Sequence, residues 1–130
     1  MAGTAWVRYD GLARRDWQSL SEPERLLVAF GELRAEVNNG GFDQYFFNSP
    51  GDHVSYALVA ATRIGADLLA DRVSRAMRAL GADSYPSDRI TRQQRLLELP
   101  DGAFEGLDDE FYALEGTVDL DAAMDLLAST

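Results

Sequence analysis

The chain has 130 residues, 46% of them hydrophobic, with no cysteine, a single histidine, and 22 acidic residues against 12 basic ones, a formal net charge of −10. Disulfides, thiolate-ligated metal centres, a cysteine nucleophile and multi-histidine zinc sites are therefore excluded. All 12 basic residues are arginine, which removes a Schiff-base lysine and a Walker A loop as well. So acidic a balance argues against direct contact with nucleic-acid phosphates and against docking on an anionic membrane.

Residues 1–10 lack a basic segment followed by a long apolar one, so no signal peptide is expected there. No apolar run approaches the roughly 18 residues that cross a bilayer. With no cysteine to oxidise, a cytoplasmic location is the expectation. Leu12, Trp17 and Leu20 suggest a short first helix. Ser21-Glu22-Pro23-Glu24 reads as a capping box, after which Leu26, Leu27, Phe30, Leu33 and Val37 form one helical stripe. Asn38-Asn39-Gly40-Gly41 should stop that helix, since these residues tolerate the left-handed backbone that closes one. Residues 42–47 then read as a brief aromatic helix, ended by Asn48-Ser49-Pro50-Gly51.

A helix is expected from about His53 to Ile64, with Val54, Leu58 and Ala61 inward. Gly65 interrupts it, and Asp67 is placed to cap a successor carrying Leu69, Val73, Ala76, Met77 and Leu80. After a loop over 81–87, Ser87 or Asp88 caps a helix with Ile90 and Leu97 inward and Arg89, Arg92 and Arg95 along one side. Pro100-Asp101-Gly102 breaks the chain again. Phe104, Leu107, Phe111 and Leu114 then mark a buried helical face ending at Gly116, and Asp119 caps a last helix with Leu120, Ala123, Met124 and Leu127 inward. No stretch alternates as a strand does. The expected fold is all-α, a single compact bundle of about six or seven helices, with residues 1–130 as one domain.

The charge is distributed unevenly. Residues 1–97 hold twelve acids and twelve arginines, which cancel, whereas residues 98–130 hold ten acids and no base. With the apolar stripes of the last two helices facing the core, Glu105, Asp108, Asp109, Asp121 and Asp125 project from the solvent side. Carboxylates four residues apart lie about 6 Å apart along a helix, loosely comparable with the roughly 3.4 Å step of phosphates along one DNA strand. Such a ridge would attract a basic protein surface. Two plainer readings stand beside it: acidic helix faces are commonly solvated surface, and the arginine rows Arg72, Arg75, Arg78 and Arg89, Arg92, Arg95 could neutralise the ridge from within.

The densest local signal is the run over 36–51, which sets Glu36, Asn38, Asn39, Gln44 and Asn48 among Phe42, Tyr45, Phe46 and Phe47. Buried amides must be hydrogen-bonded, and they are suited to capping orphan groups at helix ends. A helix–turn–helix corner with its aromatics in the core is the plain reading. A polar pocket using Glu36, Asn39, Gln44 and Asn48 is the functional alternative, although Ser49 and His53 have no orienting third group to complete a nucleophilic site. His53 reads as a helix-start residue.

With its Asn-Asn-Gly-Gly-Phe-x-Gln-Tyr-Phe-x-Asn core and the downstream Ile64-Gly65-Ala66, the chain resembles the bacterial DNA-mimic-protein-like family over about residues 20–115. The resemblance implies an all-helical fold. From the best-known member it implies a dimer whose acidic surface imitates double-stranded DNA and occupies a transcription factor's DNA-binding face. Its defining residues here are Glu36, Asn38, Asn39, Gly40, Gly41, Phe42, Gln44 and Asn48, with no catalytic role attached. The acidic residues of the mimic surface are not part of the shared motif and do not carry over by position.

Three functions compete. The first is a non-enzymatic interaction module whose acidic face binds a basic protein, a transcription factor or other DNA-binding protein, as a DNA mimic, with homodimerisation as an option. The second is an immunity-type or other partner-binding module acting through the 36–51 corner. The third is a small-ligand binder or enzyme built on that corner. No cofactor and no metal is expected.

Overall fold

The computed structural model describes residues 4–129, so the outermost residues of the expected domain, 1–3 and 130, lie outside the described residues. Seven α-helices follow in order: α1 (Thr4–Ala13), α2 (Glu22–Phe47), α3 (Val54–Arg63), α4 (Asp67–Leu80), α5 (Arg89–Glu98), α6 (Glu105–Thr117) and α7 (Leu120–Ala128). Two short 3₁₀ turns, Trp17–Ser19 and Ser49–His53, fill the joints, and no strand occurs among the described residues.

The architecture is organised around α2. Its start is the expected capping box: the Glu24 N–H donates to Ser21 Oγ at 3.3 Å while the Ser21 N–H donates to the Glu24 carboxylate at 2.8 Å. The six residues from Leu26 to Gly31 are all buried, so the stripe expected on one face extends round the helix. A helix apolar on every side must be central, and α1, α3, α5, α6 and α7 all pack against this one. At Gly40 (φ −152°, ψ 15°) and Gly41 (φ 78°, ψ −177°) the helical backbone is broken, at the stop expected from the sequence. The chain then resumes as one aromatic turn and a half, and Phe42 and Phe46 meet Phe104 and Phe111 at ring separations of 5.8–6.1 Å. That aromatic wedge joins the broken end of α2 to α6, each ring burying a large apolar surface.

Four local expectations are corrected. The short helix expected to hold Leu12, Trp17 and Leu20 is divided: α1 ends at Ala13, Trp17 lies in the 3₁₀ turn Trp17–Ser19, and Leu20 follows in extended backbone. Asp67 does not cap α4: it is the first helical residue, Ala66 holds the cap position, and the carboxylate acts only on the positive end of the helix dipole. Helix α6 passes through Gly116 and ends at Thr117. On α5, Asp88 does cap, accepting from the Thr91 N–H at 2.9 Å, but Ile90 and Leu97 are 66% and 81% exposed and Arg92 is fully buried instead. The rotation has a physical reason: the Arg92 guanidinium satisfies the carbonyls of Phe46 and Asn48 at the end of α2, a role that neither aliphatic side chain can fill. Leu58, Met77, Leu107, Leu114 and Ala123 face inward as expected but are only partly buried.

Candidate functional site

The motif residues build the corner between the two parts of α2. Gln44 donates to Glu36 at 2.6 Å, Asn48 donates to the same carboxylate oxygen at 3.3 Å, and Asn39 donates to the Gln44 carbonyl at 3.3 Å. The Gln44 side chain lies over Gly40, where a Cβ would collide with it. Asn38 reaches away to Glu115 at 2.9 Å. The amides thus bind carboxylates and one another, whereas the sequence suggested that they cap helix ends. The cap comes from a distant residue. Asp108, in the first turn of α6, accepts the N–H of Phe42 at 2.8 Å, the donor left open by the break. A Cβ on Gly41 would stand 2.6 Å from that carboxylate, so the approach requires glycine. Burial pushes the Asp108 carboxyl above its usual range; the Phe42 hydrogen bond opposes this, and the neighbouring charges of Asp43 and Asp109 add to it. Phe42, Tyr45 and Phe46 are buried, as read from the sequence, while Phe47 remains 47% exposed.

The five acids read as one solvent-facing ridge divide into two kinds. Asp121 accepts from Arg34 at 2.8 Å and from the Trp6 indole N–H at 3.0 Å, and these two hydrogen bonds, Trp6 first, hold its carboxyl below the usual range. Asp125 accepts the Ala5 N–H at 3.2 Å, at the start of α1. Asp108 is the cap just described. The Glu105 and Asp109 side chains are exposed and have no hydrogen-bond or ion-pair partner among the described residues, as is also true of those of Glu98 and Asp101. Of the other late acids, Glu115 pairs side-on with Arg34 at 2.7 and 2.9 Å, Glu110 pairs with Arg72 at 2.8 Å, and Asp119 caps α7. The arginine rows therefore neutralise little of this region: Arg72 reaches Glu110, Arg75 reaches Asp71, and Arg89 and Arg92 both reach Asp52.

The residue that compensates the late acids most is one that sequence reasoning passed over. Arg34 is 6% exposed, binds Glu115 and Asp121 together, and lies over the Trp6 ring with its guanidinium carbon 5.1 Å from the centroid. A signal was present. Arg34 stands four residues after Phe30 and seven after Leu27, inside the apolar stripe, where a charge needs a buried partner. His53 begins α3 as expected, its ring stacked on Trp17 at 3.5 Å with the Glu32 carboxylate 3.7 Å from Nδ1. Among the described residues no group of three or more histidines or acids is placed to hold a metal ion, and no helix is long and apolar enough to cross a membrane.

What the arrangement can do is present charge. Glu98, Asp101, Glu105 and Asp109 cluster in sequence around the start of α6, and Asp43 and Asp109 are both near enough to Asp108 to disfavour its ionisation. A family model described as DMP19-like protein matches residues 18–129, a longer span than the motif alone indicated. No curated protein and no solved structure matches the chain.

Proposed function

The chain belongs to the DMP19-like family, and from that premise we propose that it is a non-enzymatic, DNA-mimic-type interaction module, cytoplasmic and acting as one unit over residues 1–130, which binds a basic DNA-binding protein in competition with its nucleic acid. One observation carries the reading. The entire net charge of −10 resides in residues 98–130, and the carboxylates of Glu98, Asp101, Glu105 and Asp109 have no partner among the described residues. Uncompensated carboxylates on a rigid helical support set up a field that steers cationic surfaces, strongly at low ionic strength and weakly beyond a Debye length of about 8 Å in physiological salt.

Among the five proposed contact residues, Glu105 and Asp109 supply the contacts. Asp108, Asp121 and Asp125 lend charge to the field while their oxygens serve the fold. The small-ligand and enzymatic alternatives have less support, because Gln44 donates to Glu36 and accepts from Asn39, which engages the three side chains with one another.

The test is capture from host lysate at low salt, followed by elution with duplex DNA and, separately, with a salt gradient. Basic DNA-binding proteins released by both eluents are expected, and the Glu105→Lys/Asp109→Lys variant should lose them while melting like the parent. Capture indifferent to salt, to duplex and to this charge reversal would overturn the proposal.

A further inference from the structure

Next to the motif corner lies an open groove of about 390 Å³ whose lining includes Phe47, Leu96 and Leu97 together with Gly40, Gln44 and Asn48. Single exposed aliphatic residues are ordinary. Here, however, Phe47 (47% exposed) and Leu97 (81% exposed) share one concavity with the residues that define the family motif. The amides in the lining do not need a ligand to satisfy them: Gln44 and Asn48 both donate to Glu36. What the groove leaves unsatisfied is apolar surface.

The electrostatics around it are one-sided. Every arginine of α5 is turned elsewhere, Arg89 and Arg92 to Asp52, Arg92 also to the Phe46 and Asn48 carbonyls, and Arg95 to the Leu80 carbonyl. The charged residue in the groove's lining is Asp43, which is exposed and whose carboxylate has no hydrogen-bond or ion-pair partner among the described residues. A groove with exposed apolar walls, whose one charged lining residue among those described is a carboxylate, complements an apolar side chain flanked by a cation. A second copy docked groove to groove would bring Asp43 toward its own counterpart, a like-charge contact that opposes self-association.

We propose that this groove receives an apolar side chain presented on a basic helix of the protein partner, with lysine or arginine one turn away meeting Asp43. The inference rests on the acidic-interaction reading and deepens it. Part of the contact would be hydrophobic and would survive salt that screens the remainder.

Two helical peptides of about 14 residues separate the contributions: one of leucine and lysine with leucines on a single face, the other with serine replacing each leucine. Binding is followed by fluorescence anisotropy and by amide shifts, using the parent chain, Phe47→Ser/Leu97→Ser and Glu105→Lys/Asp109→Lys. The leucine–lysine peptide should shift the amides of Asp43, Gln44, Phe47 and Leu97. It should bind the Phe47→Ser/Leu97→Ser variant about tenfold or more weakly, the effect of losing one buried aliphatic contact. It should also hold the groove at about 1 M salt, where the Debye length is about 3 Å. The serine–lysine peptide should bind both of these chains equally, and only at low salt. Leucine–lysine binding unchanged by the two serine substitutions, or shifts confined elsewhere, would overturn the groove proposal while leaving the acidic reading intact. Failure of the serine–lysine peptide to bind at low salt would instead count against the acidic reading alone. A dimer in sedimentation that these same substitutions abolish would identify a self-interface and overturn the proposal. Both substituted side chains are exposed, and a parent-like melting curve confirms that the variant is folded.

Discussion

Gly41 and Asp108 form a contact between residues far apart in sequence on which the break in α2 depends. Gly41 sits at φ 78°, ψ −177°, a region open to glycine and costly, by about 1–3 kcal/mol, to any other residue. A methyl group there would also displace the Asp108 carboxylate from the Phe42 N–H. Gly41→Ala should therefore lose about 3 kcal/mol in urea unfolding, the strain plus one cap. Asp108 can be examined in two ways. Asp108→Ala should lose about 1 kcal/mol with the cap, whereas Asp108→Asn keeps an acceptor oxygen and should match or exceed the parent at neutral pH. The pH dependence has a definite sign. Because the folded carboxyl titrates above its unfolded value, the folded state holds the proton more tightly, and Asp108 makes stability fall as pH rises from the ordinary value of 3.8 through its raised one. Removing that contribution is the signature expected of Asp108→Asn. The glycine pair could be read from the sequence as a stop, because its conformational freedom is local. The cap could not, because its donor and acceptor are 66 residues apart.

Helix α5 illustrates what caps and periodicity reveal and what they leave open. Its start at Asp88 is a short-range hydrogen bond and was legible. Its rotation depends on where Arg92 finds acceptors, and those carbonyls belong to residues 46 and 48. Hydrophobic patterning favoured Ile90 and Leu97 because it treats arginine as an outward residue, yet this guanidinium fills two roles at once: it pairs with Asp52 and closes a helix terminus. Arg92→Met keeps length and apolar bulk while leaving two carbonyls unsatisfied. It should cost about 2–4 kcal/mol, with amide exchange accelerated first in α5 and over 48–53. Arg34, by contrast, was marked by its place within the α2 stripe, and only its partners, Glu115 and Asp121, lay beyond reach of the sequence.

For the molecule as a whole, charge location was legible by counting, but its deployment was not. The division between exposed Glu105 and Asp109 and the internally engaged Asp108, Asp121 and Asp125 depends on which helices meet. Acid stability should reflect the engaged set. Asp121 is held low by Trp6 and Arg34. For Asp52 burial works in the opposite direction, but hydrogen bonds from Arg89 and Arg92 outweigh it, so its carboxyl is held low as well. Both therefore contribute stability that is complete above the ordinary value of 3.8 and is lost as pH falls through their lowered ones. Urea unfolding followed by circular dichroism should show their contribution shrinking on acidification through that range, and Asp121→Asn should be less stable than the parent at neutral pH with the difference narrowing in acid. Convergence of the two chains at low pH is the outcome that checks the sign.

The first and last helices are fastened together: Asp125 receives the Ala5 N–H at 3.2 Å, and Arg8 donates to the Ala128 carbonyl at 3.1 Å. Neighbouring ends of this kind favour circular permutation. A short glycine–serine bridge could splice them, with a new opening cut between Asp83 and Ser84, both exposed in the α4–α5 loop. The rearranged chain should fold to the same bundle. It would also carry its acidic quarter in mid-chain, so that a label or immobilising tag at the new termini leaves that region unobstructed.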